Sequence, residues 1–448
     1  MQKLTKNILH HSHHRIEAQE KTAEVGKMGN PISKPVSSIR QSVINLSTEE
    51  ETEIIIKYWV RISNIKLGWI YDFDRLVVKY ATNFFVFEVF RSSSKLIKTF
   101  TGHTSWVNSI DYSTFDCGQF ICSGSDDKTV CVWDVETNKQ IQSFNGHSDY
   151  VYCVKFSQYH HYNNCRSVIC CLSLGKTIRF WDVKHNKQLQ ICNDHTDCVC
   201  GMEFSSFSNG RYLCSGSFDN TIRLWDMETS KSLHVFSGHT RAVRCVDISP
   251  LQSNSSNKND NNKSGIGAIG GNGYTICSGS YDKTICIWDI ETTKQSITFK
   301  GHENWIASVK YGSNELGISN CANTILSGSF DNSVRLWDIR SGQQIQVFNR
   351  HDGYVYAVEY SSFVVNNIEV GDSTNVVCSG SSDNTVRFWD IRSNKNELYV
   401  IKGNNEEDNG ILCLKFLQFK QNRKGSNDNG RGINLCYGSS KGSIYIWG

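Results

Sequence analysis

Residues 101–134 read TGHTSWVNSIDYSTFDCGQFICSGSDDKTVCVWD. Three short apolar runs lie in this stretch: Val107–Tyr112, Phe120–Gly124 and Thr129–Asp134. Turn formers bound them, with Thr101-Gly102-His103 before the first, Asp116-Cys117-Gly118 between the first two and Ser125-Asp126-Asp127-Lys128 before the third. Runs of this length, punctuated by Gly, Asp and Ser, read as antiparallel strands joined by tight turns. A fourth run, Lys95–Phe100, precedes them and completes a four-stranded unit.

The unit repeats. Trp-Asp returns at Trp133, Trp181, Trp225, Trp288, Trp337 and Trp389, each followed by Asp, and a degenerate copy is Trp447-Gly448. Spacings run from 44 residues (Trp181 to Trp225) to 63 (Trp225 to Trp288), set by inserted loops. Gly-His precedes most copies, at Gly102-His103, Gly146-His147, Gly238-His239 and Gly301-His302. Asp194-His195 and Arg350-His351 keep the His, and Gly403-Asn404 loses it. Four-stranded units of about 40–45 residues carrying Gly-His and Trp-Asp are the mark of one repeat architecture. From Lys95 to the C-terminus the chain resembles the WD-repeat (WD40) β-propeller family.

That resemblance implies an all-β fold, a seven-bladed propeller of four-stranded antiparallel blades. It also implies that four residues per blade join by buried hydrogen bonds: the His, a serine of the second strand, the turn Asp and the Trp. In the first unit these are His103, Ser123, Asp127 and Trp133. The set recurs in the units ending at Trp225 (with Asp219), Trp288 (His239, Asp282), Trp337 (His302, Asp331) and Trp389 (His351, Asp383). The unit ending at Trp181 has Ser173-Leu174-Gly175 where the turn Asp belongs, and the last has Asn404 for His and Lys441 for Asp. A buried imidazole or indole left without a partner costs about 1–3 kcal/mol, so recurrence in nearly every blade reads as scaffolding. A single active site would need such a set once, and no catalytic residue is expected.

Similar propellers close by pairing the two ends of the chain. The last unit stops after its third strand, and Lys95–Phe100 is an outer strand without a blade, so the two are expected to join. Residues 1–46 are polar and read as a disordered tail, its His10, His11, His13 and His14 solvated. Residues 47–94 read as a helical or irregular segment. Ser47-Thr48-Glu49-Glu50 is a capping-box pattern, and Ile55, Trp59 and Ile62 repeat at helical spacing, predicting a helix over about 48 to 64 and a second near 70–80. Shifting the first unit back by 44 sets Phe85–Phe90 on Thr129–Asp134, as a decayed eighth blade would. It lacks Gly-His, turn Asp and Trp, which favours seven, with Phe84–Phe90 left as a candidate edge strand.

Composition excludes several classes. A net charge of +3 over 448 residues gives no reason to expect nucleic acid or an anionic membrane as partner. No run approaches a membrane span, and no secretory leader opens the sequence. Many of the 18 cysteines sit at equivalent places, Cys122, Cys214, Cys277 and Cys378 each before Ser-Gly-Ser, as buried thiols would. No pair of CxxC motifs exists, so no metal is expected. Gly265–Gly270 spells a dinucleotide fingerprint, but it follows polar filler and leads into a strand, and Gly175-Lys176-Thr177 is a hairpin turn; no cofactor is expected. The expected protein is a monomeric subunit of a larger complex in the cytoplasm or nucleus, with protein or peptide partners and no small-molecule substrate.

Long loops, Ser157–Arg166, Gln252–Asn272, Ser361–Asn375 and Gln418–Gly432, gather on one face, while the Gly-His and turn-Asp loops make the other face compact. The compact rim is the expected partner site. Three residues after each His stand Trp106, Tyr150, Trp305 and Tyr354; five after stand Asn108, Tyr152, Arg244 and Tyr356; before the turn Asp stand Phe218, Tyr281 and Phe330; Arg241 adds charge. Trp, Tyr and Arg dominate binding hot spots. The sharper alternatives are a histone-methyltransferase subunit and a substrate receptor of a cullin-type ubiquitin ligase. Trp337-Asp338-Ile339-Arg340 and Trp389-Asp390-Ile391-Arg392 resemble the box that docks such receptors, through Arg340 and Arg392.

Overall fold

The computed structural model describes residues 90–113, 118–249, 274–312, 323–361, 376–391, 397–403, 410–418 and 433–448. All of these residues belong to one compact unit, Lys79–Gly448. The tail and helices expected over residues 1–80, the Gly265–Gly270 fingerprint and most of the long loops lie outside them.

Each repeat folds as its turn chemistry directs, consecutive runs pairing antiparallel into a four-stranded sheet. In blade 1 the strands are Val107–Ser113, Phe120–Ser125, Val130–Asp134 and Lys139–Phe144. Seven such sheets form. The inner strands of blades 2 to 7 are Val151–Phe156, Val199–Phe204, Val243–Ile248, Ile306–Tyr311, Val355–Tyr360 and Ile411–Gln418. Neighbouring inner strands lie against one another all the way round, the last against the first, which makes a seven-bladed β-propeller. Six blades carry a glycine where the next blade approaches closely, in Ser-Gly-Ser or, in blade 7, Tyr437-Gly438-Ser439, and blade 2 carries Leu172 there. A Cβ on Gly124 would lie 2.6 Å from Val151 Cγ1, and one on Gly438 would lie 2.7 Å from Val107 Cγ1.

The ring closes as expected. Leu96–Phe100 is the outer strand of blade 7, antiparallel to Ile444–Trp447, with Leu96 opposite Trp447 and Phe100 opposite Ile444. Phe100 then packs on Trp133 of blade 1, ring centroids 5.7 Å apart. The same contact joins Phe144 to Trp181, Phe236 to Trp288, Phe299 to Trp337 and Phe348 to Trp389. A Phe ending one outer strand thus seats on the Trp of the next blade. Large apolar rings buried between blades are the main source of cohesion, each contributing about 1.5–3 kcal/mol.

Two local expectations change. Residue 90, expected to end an edge strand, opens a helical turn over 90–93, and its ring packs 5.8 Å from Phe388. Within Ser157–Arg166, expected as an irregular loop, Gln158–Asn164 is a helix. Its anchor is His160, which is buried, lies 2.8 Å from Ser157 Oγ and faces the Phe180 ring at 5.7 Å. Among the described residues no helix is long and apolar enough to cross a membrane.

Candidate functional site

The hydrogen-bonded set assembles in five blades. His Nδ1 lies 2.7–2.8 Å from the turn Asp in His103–Asp127, His195–Asp219, His239–Asp282, His302–Asp331 and His351–Asp383. His Nε2 lies 2.7–2.8 Å from Ser123, Ser215, Ser278, Ser327 and Ser379 in turn. The indoles of Trp133, Trp225, Trp288, Trp337 and Trp389 donate to those same hydroxyls at 2.8–2.9 Å. An indole only donates, so the hydroxyl accepts from it in every one of these blades. Where the imidazole is neutral the hydroxyl offers its own hydrogen to Nε2, where it is protonated Nε2 donates as well, and in both cases Nδ1–H donates to the carboxylate.

The carboxylate is the hub. Asp127 also accepts from Thr104 N at 3.0 Å and from Thr129 N and Oγ1 at 2.9 and 2.6 Å, tying the His loop to the hairpin. Burial pushes these carboxyls up, but the hydrogen bonds from His and from the Thr or Ser two residues on outweigh it. All five are held below the usual carboxylate range, Asp383 at about 2. The imidazoles divide. His103 and His239 rise to about 9, burial lowering them but the Asp and the neighbouring thiol winning, whereas in His302 burial wins and lowers it. The His side chains are at most 1% exposed, so the sets are internal braces.

Blade 2 departs from this pattern. Its Trp181 is only half-buried and packs on Phe144, but the indole finds no hydrogen-bond partner, and neither does His147 Nδ1. Trp181 therefore serves by packing alone. Burial, and then the charge of Arg179, lower His147 to about 4.

On the compact face, a β-bulge follows the first residue of every inner strand, as between Val107 and Ser109 or Val243 and Cys245. The skipped residues are Asn108, Tyr152, Cys200, Arg244, Ala307, Tyr356 and Leu412. A bulge releases its extra residue from the ladder and re-aims it. Asn108 Nδ2 donates to Asp126 Oδ1 at 2.6 Å and to Val151 O at 3.1 Å. The Arg244 guanidinium carbon lies 4.7 Å from the Tyr152 ring centre.

The outer rim splits into two kinds of ring. Tyr281 stacks on Trp305 at 4.2 Å and 9°, and Phe330 stacks on Tyr354 at 4.7 Å and 10°. Phe218 leans on Tyr281 at 5.6 Å, and Tyr356 meets Phe330 edge-on at 5.2 Å. These rings form a ladder across blades 3 to 6, so part of their work is to pack one blade on the next. Trp106 and Tyr150 are 44% and 41% exposed, and neither side chain has a ring or hydrogen-bond partner among the described residues. Arg241 is exposed beside the ladder.

A further ring escaped the sequence reading. Deeper along the inner strands stand Asp111, Lys155, Glu203, Asp247, Lys310, Glu359 and Lys415, one charge per blade. Glu203 Oε2 accepts from Lys155 Nζ at 2.8 Å and from Lys310 Nζ at 3.1 Å, and Lys415 Nζ lies 3.5 Å from Asp111. Lys310 of blade 5 thus reaches past blade 4 to blade 3. The pairing holds Glu203 low, burial notwithstanding, while burial and then Glu203 and Glu359 push Asp247 up to about 6, Lys310 opposing them. The readable signal was a charge eight residues after each of the six His, as at Asp111 after His103.

Arg340 is exposed in the turn after its strand. With its amide oxygen turned towards Arg340, the Asn323 side chain accepts from Nη2 at 2.9 Å and Nε at 3.1 Å. Arg392 lies outside the described residues.

Comparison with known proteins follows the same repeats. A family model described as "WD domain, G-beta repeat" matches residues 94–134, 138–182, 186–226, 230–289, 293–338 and 342–390. The chain is 38% identical over 73 residues to nuclear distribution protein PAC1 of Candida tropicalis, covering 15% of this chain and 14% of that one. It is 36% identical over 75 residues to a probable E3 ubiquitin ligase complex SCF subunit, sconB, of Arthroderma benhamiae, covering 16% and 11%. Against superkiller complex protein 8 of Dictyostelium discoideum it is 36% identical over 66 residues, covering 15% and 22%. The chain therefore matches between about a tenth and a quarter of the length of these relatives.

Proposed function

This chain belongs to the WD40-repeat family, and from that premise we propose that it is a protein-interaction scaffold that binds a peptide or domain partner on its compact face and assembles a multiprotein complex. One observation carries the reading. Trp106 and Tyr150 stand half-exposed and unpartnered at the rim, next to the ladder that runs from Phe218 to Tyr354. Aromatic rings clustered on a surface favour a partner that covers them. The relatives named as subunits of complexes are compatible with this role. The braces bury their histidines, which removes the obvious acid–base groups from substrate, and we read no catalysis. Buried thiols at repeated strand positions suit a reducing compartment, cytoplasm or nucleus.

The test is affinity purification with the full chain, comparing the unaltered protein with Trp106→Ala/Tyr150→Ala. Loss of the same partners from the variant, with an unchanged melting curve, is the expected result. Partners retained by that variant but lost on deleting residues 252–272 would place the site on the long-looped face and sink the reading. A second proposal, docking to a ligase adaptor through Arg340 and Arg392, rests on the exposure of Arg340 at its turn. Arg340→Ala/Arg392→Ala should then lose a cullin adaptor that the unaltered protein recovers; if the unaltered protein never recovers one, the proposal falls.

A further inference from the structure

Arg244 reaches from blade 4 across blade 3 to an aromatic ring of blade 2. It leaves the bulge of blade 4, passes the small Cys200 of blade 3 and lays its guanidinium on Tyr152 of blade 2. It therefore lies across the channel mouth. Three other arginines end on carboxylates, Arg211 on Asp226, Arg335 near Asp331 and Arg387 on Glu397, while Arg179 ends on the Gly146 carbonyl. Among the described residues no carboxylate lies within 4 Å of Arg244. Its ring contact uses only a face of the guanidinium, so donors on the edge remain for an acceptor. Asp126 lies within electrostatic reach of Arg244, but that carboxylate is already held by Asn108 at 2.6 Å. Deeper along the inner strands, Lys310 and Lys155 converge on Glu203 and tie blades 2, 3 and 5 together.

A planar five-donor cation with no carboxylate within 4 Å among the described residues, half-buried and rimmed by Tyr152, Tyr281 and Tyr356, is built for a carboxylate. A cationic side chain entering there would meet Arg244 head on. We propose that the compact face recognises an extended segment of a partner protein in which a glutamate or aspartate pairs with Arg244 and apolar neighbours cover Trp106, Tyr150 and the Tyr281–Tyr354 ladder. The inference rests on the compact-face reading and adds the chemistry of its ligand.

Selection from a random seven-residue peptide display library on the full chain tests it. The expected peptides carry an acid at one position with apolar residues beside it. Changing that Glu to Gln in the synthetic, fluorescein-labelled peptide should weaken binding about tenfold by anisotropy. Arg244→Gln should abolish the difference, and Arg244→Lys should preserve the preference for Glu over Gln. If Arg244→Gln fails to fold, the Glu and Gln peptides on the unaltered protein still decide. Selected peptides centred on Arg or Lys, or binding equally with Gln, overturn the inference while leaving the compact-face reading intact if Trp106→Ala abolishes them. Binding of a phosphoserine peptide but not of its Glu counterpart also overturns it, because the anion would then be a phosphate. Peptides indifferent to both Trp106 and Arg244, or no selected peptide at all, would bring down the compact-face reading itself.

Discussion

His147 Nε2 lies 2.9 Å from the Sγ of Cys171, in the place where five other blades set a serine hydroxyl against the histidine. A thiol is a weak donor and acceptor, and the Trp181 indole is left without a partner. Gly175 takes the position of the turn Asp, and Cys192 the position of the Phe that seats on the next Trp. Blade 2 is therefore the weakest-braced of the first six.

Cys171→Ser should repair the first defect, letting one hydroxyl accept from Trp181 and donate to His147. The expected gain is about 0.5–1.5 kcal/mol, read as a higher unfolding midpoint. Adding Gly175→Asp, where a Cβ meets nothing closer than Ser173 Oγ at 3.2 Å, should raise the His147 pKa from about 4 by giving it a carboxylate, measurable by NMR titration. A double variant that is no more stable, with His147 still titrating near 4, would mean that the turn cannot adopt the braced geometry.

Closure by Leu96–Phe100 predicts unequal effects of shortening the chain. A protein beginning at Lys79 should melt as the full chain does. One beginning at Thr101 loses the partner of Ile444–Trp447 together with the Phe100–Trp133 and Phe90–Phe388 contacts, and should unfold early or aggregate from its open edge. Equal melting temperatures would contradict the observed pairing.

Acid should attack the braces. Asp383 is held at about 2, below its ordinary 3.8, so it contributes stability above 3.8 that is lost as pH falls through 2. Asp127, Asp219, Asp282 and Asp331 move the same way. Asp247 runs opposite. Raised to about 6, it favours the fold below 3.8 and loses that contribution as pH rises through 6. Asp247→Asn keeps an acceptor for Tyr311 N, now at 2.8 Å, and should raise the melting temperature at pH 8 but not at pH 4. Asp383→Asn should flatten the loss of stability between pH 4 and 2. An unchanged acid profile in that variant would show that the His351 bond does not hold the carboxyl down.

The two kinds of rim ring should separate by mutation. Trp106→Ala and Tyr150→Ala should each weaken partner binding by about 1–3 kcal/mol at constant melting temperature. Trp305→Ala should also lower the melting temperature, because it removes the stack on Tyr281, worth about 0.5–1.5 kcal/mol beyond area. Calorimetric melting beside partner titration checks both.

The repeat was legible because each recurring letter answers one buried demand: the indole needs Ser123, the imidazole needs Asp127, and Gly124 must admit Val151. The channel ring was less visible because its signs vary, so no single residue type recurs from Asp111 to Lys415. The helix at Gln158–Asn164 hid because its anchor is a buried histidine in a polar stretch. The rim residues could be located by counting from each His, but not their pairing. That Arg244 reaches Tyr152 depends on the small Cys200 between them, a relation across blades that spacing along the chain does not express.

The seam also sets a timetable. Leu96 pairs with Trp447, 351 residues further along the chain. At the usual pace of synthesis, about 5–20 residues per second, the first half of that sheet waits roughly 20–70 s for its other half to be made. Through that interval Leu96–Phe100 is an unclaimed strand on a nascent chain, and the propeller becomes a ring only when Ile444–Trp447 has emerged. Slow or stalled synthesis near the end of blade 7 therefore exposes this chain to mispairing at one particular place, and a chaperone that shields Leu96–Phe100 would matter more to its yield than one acting on any other blade.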